Sequence, residues 1–154
     1  MPQIRQANDA DIAEIVEVVN AAFEVERDFR AGNRTSAAEI ARLMRSSTFL
    51  IATHNERAAG AILVRITGAT GYFGMLAVHP QLQRLGIGRA LLEASEDYCR
   101  EHGCTEMTLS TGSVRRELLD RYARLGYSVT SIEPAPPDGP FTKQIEIVKM
   151  AKRL

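Results

Sequence analysis

The sequence predicts an α/β (mixed α+β) domain built on a mixed, mostly antiparallel sheet of about seven strands, flanked by about four helices. Three observations predict it. Strand-like and helix-like segments alternate along the chain in the order β-α-α-β-β-β-α-β-α-β-β. Three strands in a row before the alternation call for antiparallel pairing first and a crossover afterwards, with helices on both faces. No repeat and no linker-like shift in composition interrupts the first 130 residues, so the 154 residues are expected to form one domain, 1–154.

Each element has a local reason. Residues 3–7 read as a short strand running into Asn8-Asp9-Ala10-Asp11, side chains that suit a helix N-terminus. Ile12, Ile15, Val16, Val19 and Phe23 then share one helical face. The charged stretch 24–34, closed by Gly32-Asn33, reads as a loop with a solvated face. Ser36 and Glu39 form a capping-box pattern for a second helix. Residues 48–53 and 58–66 read as strands joined by His54-Asn55-Glu56-Arg57, a hairpin-length link. A glycine-bearing turn leads to a strand over 72–78, which His79-Pro80 stops. A helix is expected from about Ile87 to His102, with the stripe Ile87, Leu91, Ala94 and Tyr98 and a stop at Gly103. A strand over 105–111 follows. Ser113 is expected to cap a helix carrying Val114, Leu118, Tyr122 and Leu125. Two final strands, 127–132 and 141–150, flank the proline-stiffened loop 134–140.

Composition narrows the function. Nineteen basic side chains balance nineteen acidic ones, so no global field draws the chain to nucleic acid or to an anionic membrane. No apolar run reaches the ~18–20 residues of a membrane span, and the polar start lacks a signal-peptide core, so a cytoplasmic protein is expected. Two cysteines, Cys99 and Cys104, form neither a disulfide framework nor a zinc pattern and are expected to pack as small apolar groups. His54, His79 and His102 each have a local structural explanation and no metal-ligand spacing, so no metal is expected.

The stretch that carries chemistry is Leu76-Ala77-Val78-His79-Pro80-Gln81-Leu82-Gln83-Arg84-Leu85-Gly86-Ile87-Gly88-Arg89-Ala90. A dinucleotide fingerprint fails because Leu91 stands where the third glycine belongs. A nucleotide-triphosphate phosphate loop fails because Gly88 is followed by Arg89-Ala90. What remains is Gln83-x-x-Gly86-x-Gly88, glycines opening a helix directly after a strand. The free N–H groups and dipole of a helix start attract an anion, and absent Cβ atoms let it approach. The other reading of the same residues is a plain strand-to-helix turn.

The run from Val78-His79-Pro80 through Gln83-Arg84-Leu85-Gly86-Ile87-Gly88-Arg89-Ala90-Leu91-Leu92 resembles the acyl-CoA-binding motif of the GNAT-type N-acetyltransferase superfamily. Tyr122-Ala123-Arg124-Leu125-Gly126-Tyr127 resembles its second signature. The resemblance is strong over residues 72–129. It implies a GNAT-like sheet splayed between the fourth and fifth strands, with the pantetheine arm of acetyl-CoA, as co-substrate, along Leu76, Ala77 and Val78. It implies a diphosphate on the N–H groups of Arg84, Leu85, Gly86, Ile87, Gly88 and Arg89, with Gln83 of the motif also at the cofactor, and Val78 N–H as an oxyanion donor. It also implies Tyr122 as the acid for the leaving thiolate, although spacing alone makes Tyr122 a core residue beside Leu118 and Leu125. Arg115 stands where relatives often carry a cofactor-contacting asparagine, and reaches a phosphate or is solvated.

The resemblance implies an acetyl-CoA-dependent N-acetyltransferase acting on a primary amine, small molecule or protein, as monomer or homodimer. Stretches 24–34 and 134–140 would wall the acceptor site. No carboxylate occupies the usual base position: Tyr72-Phe73-Gly74-Met75 and Ser110 offer none, and Glu106 begins its strand too early. Glu24, Glu26 and Asp28 are the remaining candidates. Without a base, the rival is a catalytically silent acyl-CoA sensor or interaction module.

Overall fold

The computed structural model describes residues 2–154. One seven-stranded sheet has the order β1-β2-β3-β4-β5-β7-β6. Its strands are β1 Gln3–Gln6, β2 Thr48–His54, β3 Arg57–Thr67, β4 Thr70–Val78, β5 Glu106–Gly112, β6 Ser128–Pro134 and β7 Glu146–Arg153. The helices are α1 Ile12–Ala22, α2 Ala37–Leu43, α3 Ile87–Glu101 and α4 Arg116–Arg124. Every neighbouring pair is antiparallel except β4 and β5. The mixed sheet with helices on both faces is the architecture the sequence predicts.

Alternation along β2 and β3 divides the core in two. Phe49, Ile51, Ala61 and Leu63 face α1 and α2, where Ile15, Val19 and Ile40 meet them. Leu50, Ile62 and Val64 face the opposite side, with Leu91 and Cys99 of α3 and Tyr122 of α4. Both faces are covered, so these strands read as continuous apolar runs rather than alternating ones. Asn55 and Glu56 both lie at positive φ, 52° and 65°, the geometry of a two-residue hairpin whose twist matches the flanking strands. Asn8 starts the first helical segment as expected: its side chain accepts from Ala10 N–H, and Asp11 returns a bond to Asn8 N–H at 2.8 Å.

The C-terminal third departs from the sequence reading. The last strand is β7, beginning at Glu146 rather than 141, and it inserts between β5 and β6. Residues 141–144 are held back by the loop after α1, through an isolated bridge between Arg30 and Phe141. Ser113 does not cap α4. Its Oγ accepts from Glu146 N–H at 3.1 Å, and the helix starts later, at Arg116. A serine whose hydroxyl ties down an incoming strand cannot also serve the helix behind it.

Candidate functional site

β4 and β5 begin as a parallel pair and then part. Thr70, Gly71 and Tyr72 pair with Glu106, Met107 and Thr108, and no pairing continues beyond. β5 stays bonded to β7 along its whole length and β4 stays bonded to β3. The splay that the resemblance implies is therefore present, and a wedge opens between residues 73–78 and residues 109–112.

Two features prepare the β4 side of this wedge. Its register against β3 slips between Ala61 and Leu63, where Met75 takes a positive φ of 50°. Two β4 residues then oppose one β3 residue, a bulge that bends the strand. Beyond it, His79 N–H donates to Ala59 O at 2.8 Å. Successive residues of a strand turn their backbone groups to opposite edges, so Val78 N–H and C=O point away from β3, into the wedge. Val78 O accepts from Gln83 Nε2 at 3.2 Å, so Gln83 spends an amide donor on fastening the loop to the strand end.

The loop delivers donors in series. Arg84 and Gly86 both lie at positive φ, 70° and 83°, and Gly86 is the N-cap of α3. Only glycine takes that conformation without cost, and alternating left-handed residues turn successive N–H groups toward one concavity. The first backbone donor to find an acceptor after this turn is Ala90, on Gly86 O at 3.0 Å. Among the described residues, the N–H groups of Arg84, Leu85, Gly86, Ile87, Gly88 and Arg89 have no protein partner. A Cβ on Gly88 would meet only Val78 Cγ2 at 3.5 Å, an ordinary contact, so packing does not require glycine there. Leu76 and Val78 therefore turn their N–H groups into the wedge, and residues 84–89 add unpaired N–H groups at the helix start.

Tyr122 stands on the far wall of the wedge. Its ring packs edge-on against Phe73, the first β4 residue beyond the pairing with β5, at 5.6 Å, and against Tyr127 at 6.1 Å. The residue is 5% exposed, and burial pushes its hydroxyl up to about 12. The hydroxyl makes no hydrogen bond within the protein, yet it is not sealed. Arg34 Nε is the only fully buried side-chain polar atom without a partner among the described residues. Tyr127 contrasts with it, donating to buried Glu96 at 2.7 Å, with Lys152 Nζ on the same carboxylate at 3.0 Å.

Arg115 is neither solvated nor free. Its guanidinium donates to Glu26 Oε2 at 2.7 Å and to Glu117 Oε1 at 2.6 Å, so a phosphate here would compete with two carboxylates. Glu26 overturns the expectation of a solvated charge run. Glu24 and Asp28 are exposed, but Glu26 is 5% exposed, with Arg30 Nε on its other oxygen at 2.9 Å. Both oxygens accept from guanidinium groups, which suits Glu26 to joining segments rather than to taking a proton. Spacing could have suggested its bond to Arg30 at i,i+4; nothing in the sequence links it to Arg115. No carboxylate lines the wedge from β4 or β5, and Glu106 sits at the paired end, opposite Thr70.

The two expected walls touch each other. Ala31 N–H donates to Pro140 O and Thr142 N–H to Phe29 O, each at 2.8 Å. Phe29 stacks on Phe141 at 6.3 Å, and the Arg30 guanidinium lies 4.7 Å over the Phe141 ring. Residues 23–34 thus form a strap from α1 to the mouth of the wedge. Among the described residues, no group of three or more His, Cys, Asp or Glu side chains is placed to hold a metal ion. No helix of the described residues is long and apolar enough to cross a membrane. Cys99 and Cys104 are buried and free, with Cys99 Sγ 3.9 Å from Met107 Sδ.

Comparison with known proteins agrees with this geometry. The model of the acetyltransferase (GNAT) family matches residues 12–127. The ribosomal-protein-S18-alanine N-acetyltransferase of Escherichia coli superposes with a TM-score of 0.80 at 21% identity, over 99% of this chain and 94% of that one. Ard1 from Thermoplasma volcanium gives 0.82 at 20% identity, over 99% and 97%. The phosphinothricin acetyltransferase of Sinorhizobium meliloti, solved with acetyl-CoA, gives 0.79 at 18% identity, over 99% and 88%.

Proposed function

The chain belongs to the acetyltransferase (GNAT) family, and from that premise we propose that it is a single-domain N-acetyltransferase passing an acetyl group from acetyl-CoA to a primary amine. The observation that carries the reading is the set of unpaired N–H groups, Leu76 and Val78 at the strand edge and residues 84–89 at the helix start. A diphosphate suits the six donors and the positive end of α3. An amide-bearing arm suits an unpaired strand edge. The exposed guanidinium groups of Arg84 and Arg89 flank the same turn and add positive charge.

The reaction asks three things of the protein. The attacking amine must be neutral; a lysine-like amine near pKa ~10.4 is neutral about once in 2,500 molecules at pH 7, a cost of ~4–5 kcal/mol. Removing the amine from water at the wedge mouth offsets part of that, because desolvation favours the neutral form. The carbonyl oxygen that gains charge needs a donor fixed beforehand, and Val78 N–H, turned into the wedge beyond the bulge, is suited to that role. The departing sulfur needs a proton, and Tyr122 holds one on a hydroxyl that no protein group occupies. With no carboxylate on the wedge walls, the amine's proton leaves by way of water.

Calorimetric titration with coenzyme A tests the first half of this reading, and thiol release with a panel of amines tests the second. Binding with a 1:1 heat signal and turnover of at least one amine is the expected result. Binding without turnover on any amine identifies an acyl-CoA sensor instead, and no heat at all removes both readings.

A further inference from the structure

The strap over residues 23–34 holds three acidic and three basic side chains, and their pairing leaves Arg34 out. Glu24 pairs with Arg27. Glu26 is shared between Arg30 and Arg115. Arg34 has no carboxylate. It makes no ion pair or hydrogen bond among the described residues, and its Nε is buried without a partner. Burial, and after it the neighbouring Arg30 charge, pull its pKa down from the usual arginine range, against the pull of Glu39 and Glu26, neither of which pairs with it.

Yet the side chain is held in place. Asn20 of α1 clasps the backbone next to it, donating to Thr35 O at 3.1 Å and accepting from Thr35 N–H at 2.9 Å. The Arg34 guanidinium lies 5.2 Å over the ring of Phe23. Phe23 in turn packs into the α1-side cluster that includes Tyr72 and Met75, the bulge residue of β4. A notch opens here, lined by Asn20, Phe23, Glu26, Arg30, Asn33 and Arg34. The guanidinium is fixed on an aromatic face with its Nε buried and unpaired, while its terminal nitrogens carry no protein partner and stay open to an incoming anion. The notch lies on the α1 side of the sheet, the face on which Tyr72 and Met75 of β4 pack.

We propose that the acceptor is an amine that also carries a carboxylate, and that Arg34, with Arg30 beside it, binds that carboxylate while the amine enters the wedge. A planar guanidinium fork matches the two oxygens of a carboxylate, and a bond to a charged group in a dehydrated notch contributes more than one at the surface. A polyamine or a lysine-like amine without an acid group would meet uncompensated positive charge at the same place. This inference rests on the acetyl-transfer reading above and names its substrate class.

The test is steady-state coenzyme A release from acetyl-CoA with the proteinogenic α-amino acids, their carboxamides, and peptide amides beginning with Asp or Glu. The carboxamide amine is the less basic of each pair, so intrinsic reactivity favours it at neutral pH. Selection by Arg34 is expected to reverse that order for at least one acceptor carrying a carboxylate. Arg34→Gln is expected to lower the ratio of carboxylate to carboxamide kcat/KM about ten- to a hundred-fold, mainly through KM. Arg34→Lys is expected to restore part of the ratio, because it keeps the charge and loses the fork. A preference seen with free amino acids assigns the anion to the α-carboxylate; one seen with the Asp and Glu peptides assigns it to a side chain. Turnover of carboxamides as good as or better than that of every carboxylate acceptor overturns the inference and leaves acetyl transfer standing. So does an Arg34→Gln variant that slows both classes equally. Absence of turnover with every acceptor, together with no heat from acetyl-CoA, removes the acetyl-transfer reading and this inference with it.

Discussion

Replacing Tyr122 with Phe separates a catalytic tyrosine from a core one, because the structure makes the two roles predict different things. The hydroxyl bonds to nothing in the protein, and the ring contacts with Phe73 and Tyr127 survive the change. A core tyrosine treated this way is expected to lose less than about 1 kcal/mol and no activity. A catalytic one loses its proton. Burial raises the Tyr122 hydroxyl to about 12, so giving that proton to a thiolate in water, near ~8.5, is uphill by about 5 kcal/mol. The leaving thiolate does not form in water. A thiolate released inside the wedge loses solvent too, which raises its own pKa and narrows that gap. Acid and acceptor shift in the same direction, and a hydroxyl so placed is expected to contribute the ~10²–10⁴-fold of a general acid. Tyr122→Phe is therefore expected to lower kcat by at least about a hundred-fold, with KM for acetyl-CoA within about threefold and thermal stability nearly unchanged. Steady-state thiol release and a melting curve measure both. A kcat within about threefold of the parent enzyme refutes the reasoning and returns Tyr122 to the core.

Further expectations follow from the same geometry. Gly88→Ala places a methyl group where only Val78 Cγ2 is near, at 3.5 Å, so stability is expected to hold or to rise by up to about 1 kcal/mol. Calorimetry is expected to show weaker coenzyme A binding, by about tenfold or more, since the methyl lies in the anion's approach; unchanged affinity would falsify the assignment of the diphosphate to this turn. Glu26→Ala leaves Arg30 and Arg115 facing each other across a buried gap and is expected to cost about 3–5 kcal/mol in urea unfolding. A cost below about 1 kcal/mol removes Glu26 as the tie between strap and α4. Stability is expected to fall as pH rises from about 9 to about 12. Cys99, raised from 9.0 to about 12, and Tyr122, raised from 10.0 to about 12, stay protonated in the native state after the unfolded chain has lost its protons. Each contributes a slope of about 1.4 kcal/mol per pH unit within its window. Tyr127, raised by burial and by its bond to Glu96, adds to the same trend. Cys99→Ala is expected to move the onset of the decline from near 9 toward 10, and an onset that does not move contradicts the buried-thiol argument.

The turn that opens α3 was legible because its geometry is local. Gln83, Gly86 and Gly88 lie within six consecutive residues, and a helix start presents unpaired N–H groups whatever the rest of the chain does. The two-sided sheet was legible for a similar reason, since the unbroken apolar runs 49–52 and 61–64 leave neither strand face for solvent. The strap resisted reading. Glu24, Glu26 and Asp28 look alike in a charged run, and only contact with Arg115, 89 residues away, makes Glu26 a buried tie while the others remain in solvent. Ser113 misled in the same way, because Glu146 N–H claims the hydroxyl that would have capped α4.

By itself the sequence determined where chain direction changes, which helix faces are apolar, and which turn offers its amides to an anion. These depend on neighbours within a few residues, where covalent geometry and side-chain pattern leave few alternatives. The folded chain alone decided that β7 enters between β5 and β6, that β4 and β5 part after three residue pairs, and that Arg34 lies over Phe23 with its Nε buried and no ion pair. Those outcomes depend on which distant groups compete for the same hydrogen bonds and the same water-free space, and that competition has no signature in any short stretch of sequence.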